Sequence, residues 1–330
     1  MDESVKEVPV MSFFRSFTIL AMVVAGCCVF AQELLPGKNW KYEGGLIISW
    51  DPVSGDAGAK QVGISNAMGQ LVTSLNVLAP VHDARRVSIY DVSARKNLVA
   101  VAAVYESKEG NKQVRPTAAL LLFGFNGQLL SAFALEPSHQ IALLAVDDDS
   151  NVWTITDHAD TNVAPSTVPM VVKYTAKGEV ANELLTRNMF PFHASDIRQD
   201  TEIGAPAMGY EAGVVWFWLP GSTDFVTIST RDNKITRAKT ELPQRSGKRV
   251  VPISIRRDLS GDILAQVGEN DEQGNRVPGH YRWSRDGAWA RFKPGNCEGG
   301  ILIGVGNNGQ VYRRADHTDV CNFRNAAPTN

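Results

Sequence analysis

The chain has 330 residues, with 33 Lys and Arg against 35 Asp and Glu, and 44% of it is hydrophobic. That composition belongs to a chain that buries a core and excludes a disordered one. A net charge of −2 gives no pull toward nucleic acid or an anionic membrane face, so neither is expected as a partner.

Phe17 to Ala31 is an uncharged apolar run behind Arg15. At about 15 residues it is short of the roughly 20 that span a bilayer, and it suits the hydrophobic region of a secretory signal peptide. The other readings are an uncleaved anchor or a buried helix. Val29-Phe30-Ala31 sets small residues three and one before a break, so cleavage is expected between Ala31 and Gln32. Asp2, Glu3 and Glu7 are foreign to a basic signal start, which points to Met11 as the true initiator. The expected division is a signal peptide over 1–31 and a mature domain over 32–330, exported to the periplasm or exterior of a bacterium. Val24-Ala25-Gly26-Cys27 resembles a bacterial lipobox and implies an alternative, lipidation at Cys27 and a lipid anchor. Either way, a membrane is met only through the signal or the anchor.

Cleavage after Ala31 leaves Cys297 and Cys321. In an oxidising compartment the pair reads as one disulfide, closing a loop of about 25 residues.

Beyond the signal, helical periodicity is almost absent. Short alternating or wholly apolar runs rich in Val, Ile, Leu and aromatics are punctuated by Gly, Asn and Asp, and such runs are strands. Leu120 to Phe125, Asn126-Gly127, then Gln128 to Phe133 spells a hairpin with an expected type I′ turn. The turns form two interleaved series. One passes through Gly69, Gly127, Gly178, Asn233 and Gly287, in steps of 58, 51, 55 and 54 residues. The other passes through Asn97, Ser150, Gly213, Gly261 and Gly309, in steps of 53, 63, 48 and 48, with Glu43-Gly44-Gly45 as a start one period earlier. Two hairpins per unit of about 54 residues give a four-stranded antiparallel blade, which cannot bury both faces unless units stack around an axis.

The second series, clearest in Ala145-Val146-Asp147-Asp148-Asp149-Ser150-Asn151-Val152-Trp153 and in Leu259-Ser260-Gly261-Asp262-Ile263, resembles the strand-turn-strand pattern of NHL-like and TolB-like six-bladed propellers. The resemblance covers most of residues 38–325. It implies an all-β fold, a single β-propeller of six blades with five as the alternative. The expected ring is closed by its N- and C-terminal strands, the former completing the last blade so that no edge stays open.

Candidate chemistry is sparse. Gly304-Val305-Gly306-Asn307-Asn308-Gly309 spells G-x-G-x-x-G, but Gln310 to Arg314 continues as a strand where a dinucleotide site needs a helix, so it reads as a hairpin turn. Asp147, Asp149 and Asn151 open like an EF-hand loop and are the metal candidates. The motif then fails at Val152 and His158, where Gly and an acid belong, and a turn built on Asp and Asn explains the string. The six histidines have no ligand spacing, and Gly63 to Ala67 lacks the last Gly of a nucleophile elbow. Trp216 and Trp218 share one face of a strand and would make an aromatic platform for a sugar or peptide, the other reading being packing between blades. Tyr281 and Trp283 pose the same choice. Arg85-Arg86, Lys248-Arg249, Arg256-Arg257 and Arg313-Arg314 read as solvated strand ends or turns.

The expected function is a non-catalytic ligand- or protein-binding or scaffold module of the cell envelope or exterior, its partner a protein, peptide or glycan, with no cofactor. The longest loops, Asp157 to Val168 and Arg187 to Ala205, would shape its face. The alternative is a propeller hydrolase, lyase or lactonase, which implies calcium or another divalent cation at the axial channel.

Overall fold

A computed structural model of the chain describes residues 39–323 apart from 57, 82, 108–115, 136–138, 159–163, 165–166, 190–206, 220–223, 241–250, 271–272, 285–286, 308 and 315–319. The expected signal peptide, the Ala31–Gln32 cleavage point and Cys27 lie outside the described residues.

Strands succeed one another as antiparallel neighbours, so each blade is one continuous stretch of sequence. Blade 1 holds β1 (Asn39–Glu43), β2 (Leu46–Trp50) and, after the short β3 (Val53–Ser54), β4 (Val62–Asn66) and β5 (Leu71–Leu75). Blade 2 holds β6 (Ala84–Arg95), β7 (Leu98–Ser107), β8 (Thr117–Gly124) and β9 (Leu129–Ala134), and β3 adds itself to the free edge of β6. Blade 3 is β10 (His139–Val146), β11 (Val152–His158), β12 (Pro169–Tyr174) and β13 (Val180–Thr186). Blade 4 is β14 (Ala207–Glu211), β15 (Val214–Trp218), β16 (Asp224–Ser229) and β17 (Ile235–Lys239). Blade 5 is β18 (Val251–Arg257), β19 (Ile263–Asn270), β20 (Arg276–Trp283) and β21 (Trp289–Arg291). Blade 6 has three described strands, β22 (Ile301–Gly306), β23 (Gly309–Arg313) and β24 (Val320–Phe323).

The first full strand of each blade is the innermost. β1, β6, β10, β14, β18 and β22 touch in that order around the axis, and β22 returns to β1. Six sheets in a ring make a six-bladed β-propeller. Its core is not central but divided among the six gaps between blades. Ile48, Ile64 and Leu121 fill the first gap, Leu120, Leu122 and Leu144 the second, Trp153 and Phe217 the third. Each sheet is therefore buried on both faces, which is why β8 reads as an unbroken apolar run rather than an alternating one.

Closure depends on a close backbone approach. A Cβ on Gly304 of β22 would lie 2.7 Å from the Cβ of Tyr42 on β1, and one on Gly306 would lie 2.6 Å from the Tyr42 hydroxyl. Trp40 and Ile47 pack on Ile303 and Val311 across the same seam. The first and last blades thus meet and close the ring, but the expectation that N-terminal strands complete the last blade is corrected: blade 1 keeps its own four strands, none pairs with β24 among the described residues, and closure comes from packing of β1 on β22.

Every turn position singled out by spacing has a left-handed φ except Asn97, where Lys96 takes that role at φ 53°. The turn type differs from expectation. Gly127 alone has positive φ in the Asn126-Gly127 hairpin, its N–H bonds Gly124 O at 2.9 Å, and Gly124 N–H bonds Gln128 O at 2.9 Å. That is a type I turn followed by a left-handed residue, the three-residue hairpin. The same bonding recurs with Asn66, Asp147, Thr175, Asp258 and Ser284 at the first position. Cys297 and Cys321 form the expected disulfide, tying the segment before β22 to β24.

Candidate functional site

In a four-stranded meander the first and third connections fall at one end of the blade and the second at the other. Both series of tight turns therefore lie on one face of the ring. The strand ends that flank 51–61, 159–168, 187–206, 240–250 and 292–300 lie on the opposite face, where the innermost strands begin; of the loops expected to shape that face, 159–163, 165–166 and 190–206 lie outside the described residues. That face carries the candidate site, a cavity of about 630 Å³ at the axis. It is lined from all six blades, by Lys41, Tyr90, Asp91, Leu143, Met208, Arg256 and Ile303 among others. β3 narrows its mouth: Ile89 N–H bonds Pro52 O at 2.8 Å and holds the 51–61 connection against β6. Gln61 fastens the other side of that connection, accepting from Val77 N–H at 2.7 Å and donating to Asp56 O at 2.9 Å.

Charged side chains meet along the axis beneath the cavity. The Lys41 ammonium lies 3.3 Å from Asp91 Oδ2 and donates to Leu144 O at 3.0 Å. Asp91 also accepts from Val92 N–H and Leu144 N–H, each at 2.9 Å. Two residues further along the same strands, the Ser93 hydroxyl donates to Glu43 Oε2 at 2.6 Å and accepts from Val146 N–H at 2.9 Å. Blades 1, 2 and 3 are thus cross-linked through buried polar groups, each bond stronger for its low-dielectric surroundings. Glu43 is 2% exposed and its Oε1 has no hydrogen-bond partner. Burial raises its carboxyl above the ordinary range, opposed by Lys41 and the Ser93 bond.

A small second void below the first is lined by Glu43, Glu211, Arg256 and Arg257. Burial, and secondarily the Glu43 carboxylate, push the Glu211 carboxyl up to about 8. Arg256 lies between the two voids, donating from Nε to Ile303 O at 3.0 Å and from Nη1 to Ile255 O at 2.7 Å. Burial pulls its guanidinium down to about 10. At the turn-bearing end, Asp148 accepts from Arg95 Nε at 2.7 Å and from the Tyr210 hydroxyl at 2.9 Å, while Arg95 lies 4.4 Å above the Tyr210 ring. The Arg95 bond chiefly holds the Asp148 carboxyl below its usual range.

The residues singled out from sequence fall elsewhere. Asp147 is 1% exposed, and its carboxylate accepts from Asp149 N–H, Asn151 N–H, the Asn151 amide and Trp153 Nε1, at 2.8–3.2 Å. Asp258 does the same for Ser260 N–H and Asp262 N–H at 2.9 Å. The acidic string is thus one instance of a repeated turn whose first residue caps the two N–H groups that follow. Among the described residues no group of three or more His, Cys, Asp or Glu is placed to hold a metal ion.

Trp216 and Trp218 share a face, but each is 3% exposed, packed with Phe225, Ile255 and Ile263 between blades 4 and 5. Trp216 stacks on Phe225 at 5.6 Å. Neither ring is available as a platform, and Tyr281 is buried in the same gap. Arg256 and Arg313 correct the reading of the basic pairs as solvated: the first lies at the axis and the second is 7% exposed. His280 is buried between Phe292 and Tyr312, which lowers its imidazole below the ordinary range. The axial set was passed over in the sequence. Its signal was the alternation of polar residues within apolar first strands, Lys41 and Glu43 alternating with Trp40 and Tyr42 in β1, and Asp91 and Ser93 in β6.

No family model matches the sequence, and no curated protein matches it. Among solved structures, a protein of unknown function from Bacteroides caccae is 13% identical over 80% of this chain and 83% of its own, at a TM-score of 0.41. The calcium-binding protein regucalcin from Agrobacterium tumefaciens is 15% identical over 87% and 85%, at 0.40. The Cps50 (Swd1) β-propeller domain from Myceliophteria thermophila is 10% identical over 88% and 97%, also at 0.40. The strand pairing and the closed order of innermost strands make this chain a six-bladed β-propeller.

Proposed function

We propose that this chain is an exported, non-catalytic propeller of the NHL-like and TolB-like kind, which binds a ligand in the axial cavity on its long-connection face. The observation that carries this reading is the use made of the axial polar groups. Asp91, Lys41 and Ser93 spend their donors and acceptors on bonds between blades, so they act as struts under a formed cavity of ligand size. Export to the periplasm or exterior is supported by the apolar run of 17–31, and the Cys297–Cys321 disulfide fits that compartment. The test is a thermal-shift screen of the chain from Gln32 onward against peptides, glycans and small metabolites. A ligand that binds only the folded state raises the melting temperature by mass action. The reading predicts that a hit loses its shift when Ser88, at the cavity wall, is replaced by Trp.

One observation favours a second reading, an axial hydrolase or lactonase. Glu211, pushed to about 8 beside Glu43, is the kind of proton-holding carboxyl that acid–base catalysis uses. Turnover of esters or lactones that calcium restores after EDTA, and that Glu211→Gln abolishes, would establish it against the first.

A further inference from the structure

We propose that the axial cavity takes a small organic carboxylate with an apolar body, its anionic head against Arg256. This rests on the binding reading above and names the ligand chemistry of that same cavity.

Three features of the cavity lead there. Its walls are mostly apolar, with Trp50, Ile89, Leu143, Met208 and Ile253 facing one another across the axis. Its charges are unevenly placed. Lys41 lies 3.3 Å from Asp91 and 3.8 Å from Glu43, whereas Arg256 feels those two carboxylates only through space, hydrogen-bonds the carbonyls of Ile303 and Ile255, and makes no ion pair with a carboxylate among the described residues. Finally, those two bonds occupy Nε and Nη1, leaving Nη2 without a partner at the junction of the cavity and the smaller void beneath it. A guanidinium fixed by backbone carbonyls is preorganised, and its remaining N–H groups suit a carboxylate.

Ligand class follows from the lining. A monoanion can meet Arg256 through one charge-assisted contact, whereas a phosphate dianion would bring a second buried charge close to Asp91 and Glu43. An inorganic anion would leave the apolar walls wet, while an apolar body of about ten heavy atoms covers them and fits the usual range of ligand cavities.

The test uses phenylacetate and its neutral isostere phenylacetamide, titrated calorimetrically at pH 7 into the chain from Gln32 onward. We expect phenylacetate to bind about tenfold more tightly than the amide, the scale of one charge-assisted contact. Arg256→Met should remove that preference, Arg256→Lys should retain part of it, and Ser88→Trp should weaken both ligands. Should Arg256→Met fail to fold, the Lys and Trp variants still decide. Equal binding of both probes, blocked by Ser88→Trp, overturns the carboxylate inference and leaves the cavity as a binding site. Binding of neither probe, or binding that Ser88→Trp leaves untouched, overturns the carboxylate inference, while the peptide, glycan and metabolite screen separately decides whether the cavity binds a ligand.

Discussion

The Lys41 ammonium on β1 sits 3.3 Å from the Asp91 carboxylate on β6, across the gap between two blades and 50 residues apart in sequence. Both side chains are at most 10% exposed, so the pair trades hydration for each other and for Leu144, whose N–H and C=O it also engages. Such a pair is costly to break and cheap to replace. Asp91→Ala should destabilise the fold by about 3–5 kcal/mol, because a buried ammonium loses the nearer of its two carboxylates. Lys41→Met with Asp91→Leu should recover most of that loss. Urea unfolding of wild type, Lys41→Met, Asp91→Leu and the double variant measures the coupling, and an additive double mutant would show that the two groups act independently.

Ring closure makes a sharper distinction. A Cβ at Gly304 meets Tyr42 backbone and Cβ atoms, whereas one at Gly306 meets the hydroxyl and ring edge of Tyr42. Gly304→Ala should therefore cost about 3 kcal/mol, the upper range for overpacking, with no relief from changes to the Tyr42 side chain. Gly306→Ala should be partly rescued by Tyr42→Ala, which removes the atoms in the way. Melting temperatures of the single and double variants check this. Rescue of both glycines by Tyr42→Ala would contradict the backbone approach.

Much of this architecture was legible because a tight turn constrains its own residues. Gly, Asn or Ser takes the left-handed position at most of these turns, with Lys96 the exception, and their spacing of about 54 residues reports the blade directly. Turn class was misjudged at Asn126-Gly127, since that dipeptide serves two hairpin types and the flanking bonds decide between them. What lies between blades was not legible. Trp216 and Trp218 read as packing or as a platform from their own strand, and the residues of β18 to β20 set against them decide it. The axial cluster draws on Lys41, Asp91, Glu211 and Arg256, separated by up to about two hundred positions, and no local pattern joins them; such long-range pairing is decided by topology alone. The Asp147 turn shows the converse, a metal-like string whose chemistry is entirely local.

Acidity should act through Glu211. Its carboxyl titrates near 8 in the folded chain against an ordinary value near 4.5, so the native state holds a proton that the unfolded state has released. The sign follows: between those two pH values stability falls as pH rises, because the native state is the one binding more protons. His280 works in the opposite sense. Its imidazole is lowered by burial, so its contribution is present above the unfolded value of about 6.5 and lost as pH falls through the folded one. Glu211→Gln isolates the first effect. Relative to wild type, that variant should gain stability steadily from pH 5 to about 8. Denaturant midpoints across this range measure it, and a constant difference would mean Glu211 is ionised throughout.

The Cys297–Cys321 bridge anchors the last blade, where the ring has three described strands and closure relies on packing at the β22–β1 seam. Both cysteines are buried, in contact with Leu264 of blade 5 and Tyr312 of β23. The bond closes a loop with a sequence separation of 24, which in the loop-entropy account is worth about 3 kcal/mol through the unfolded chain. Replacing both cysteines by Ala should cost that amount plus a smaller packing loss from two buried sulfurs. Because Gly304 and Gly306 lie in the strand immediately after the bridge, the loss should localise. Hydrogen exchange in the double variant should rise first in β22, β23 and β1, while β7 and β8, which are buried on both faces, keep their protection. Uniform loss of protection around the ring would show that the bridge stabilises the propeller as a whole and not its seam.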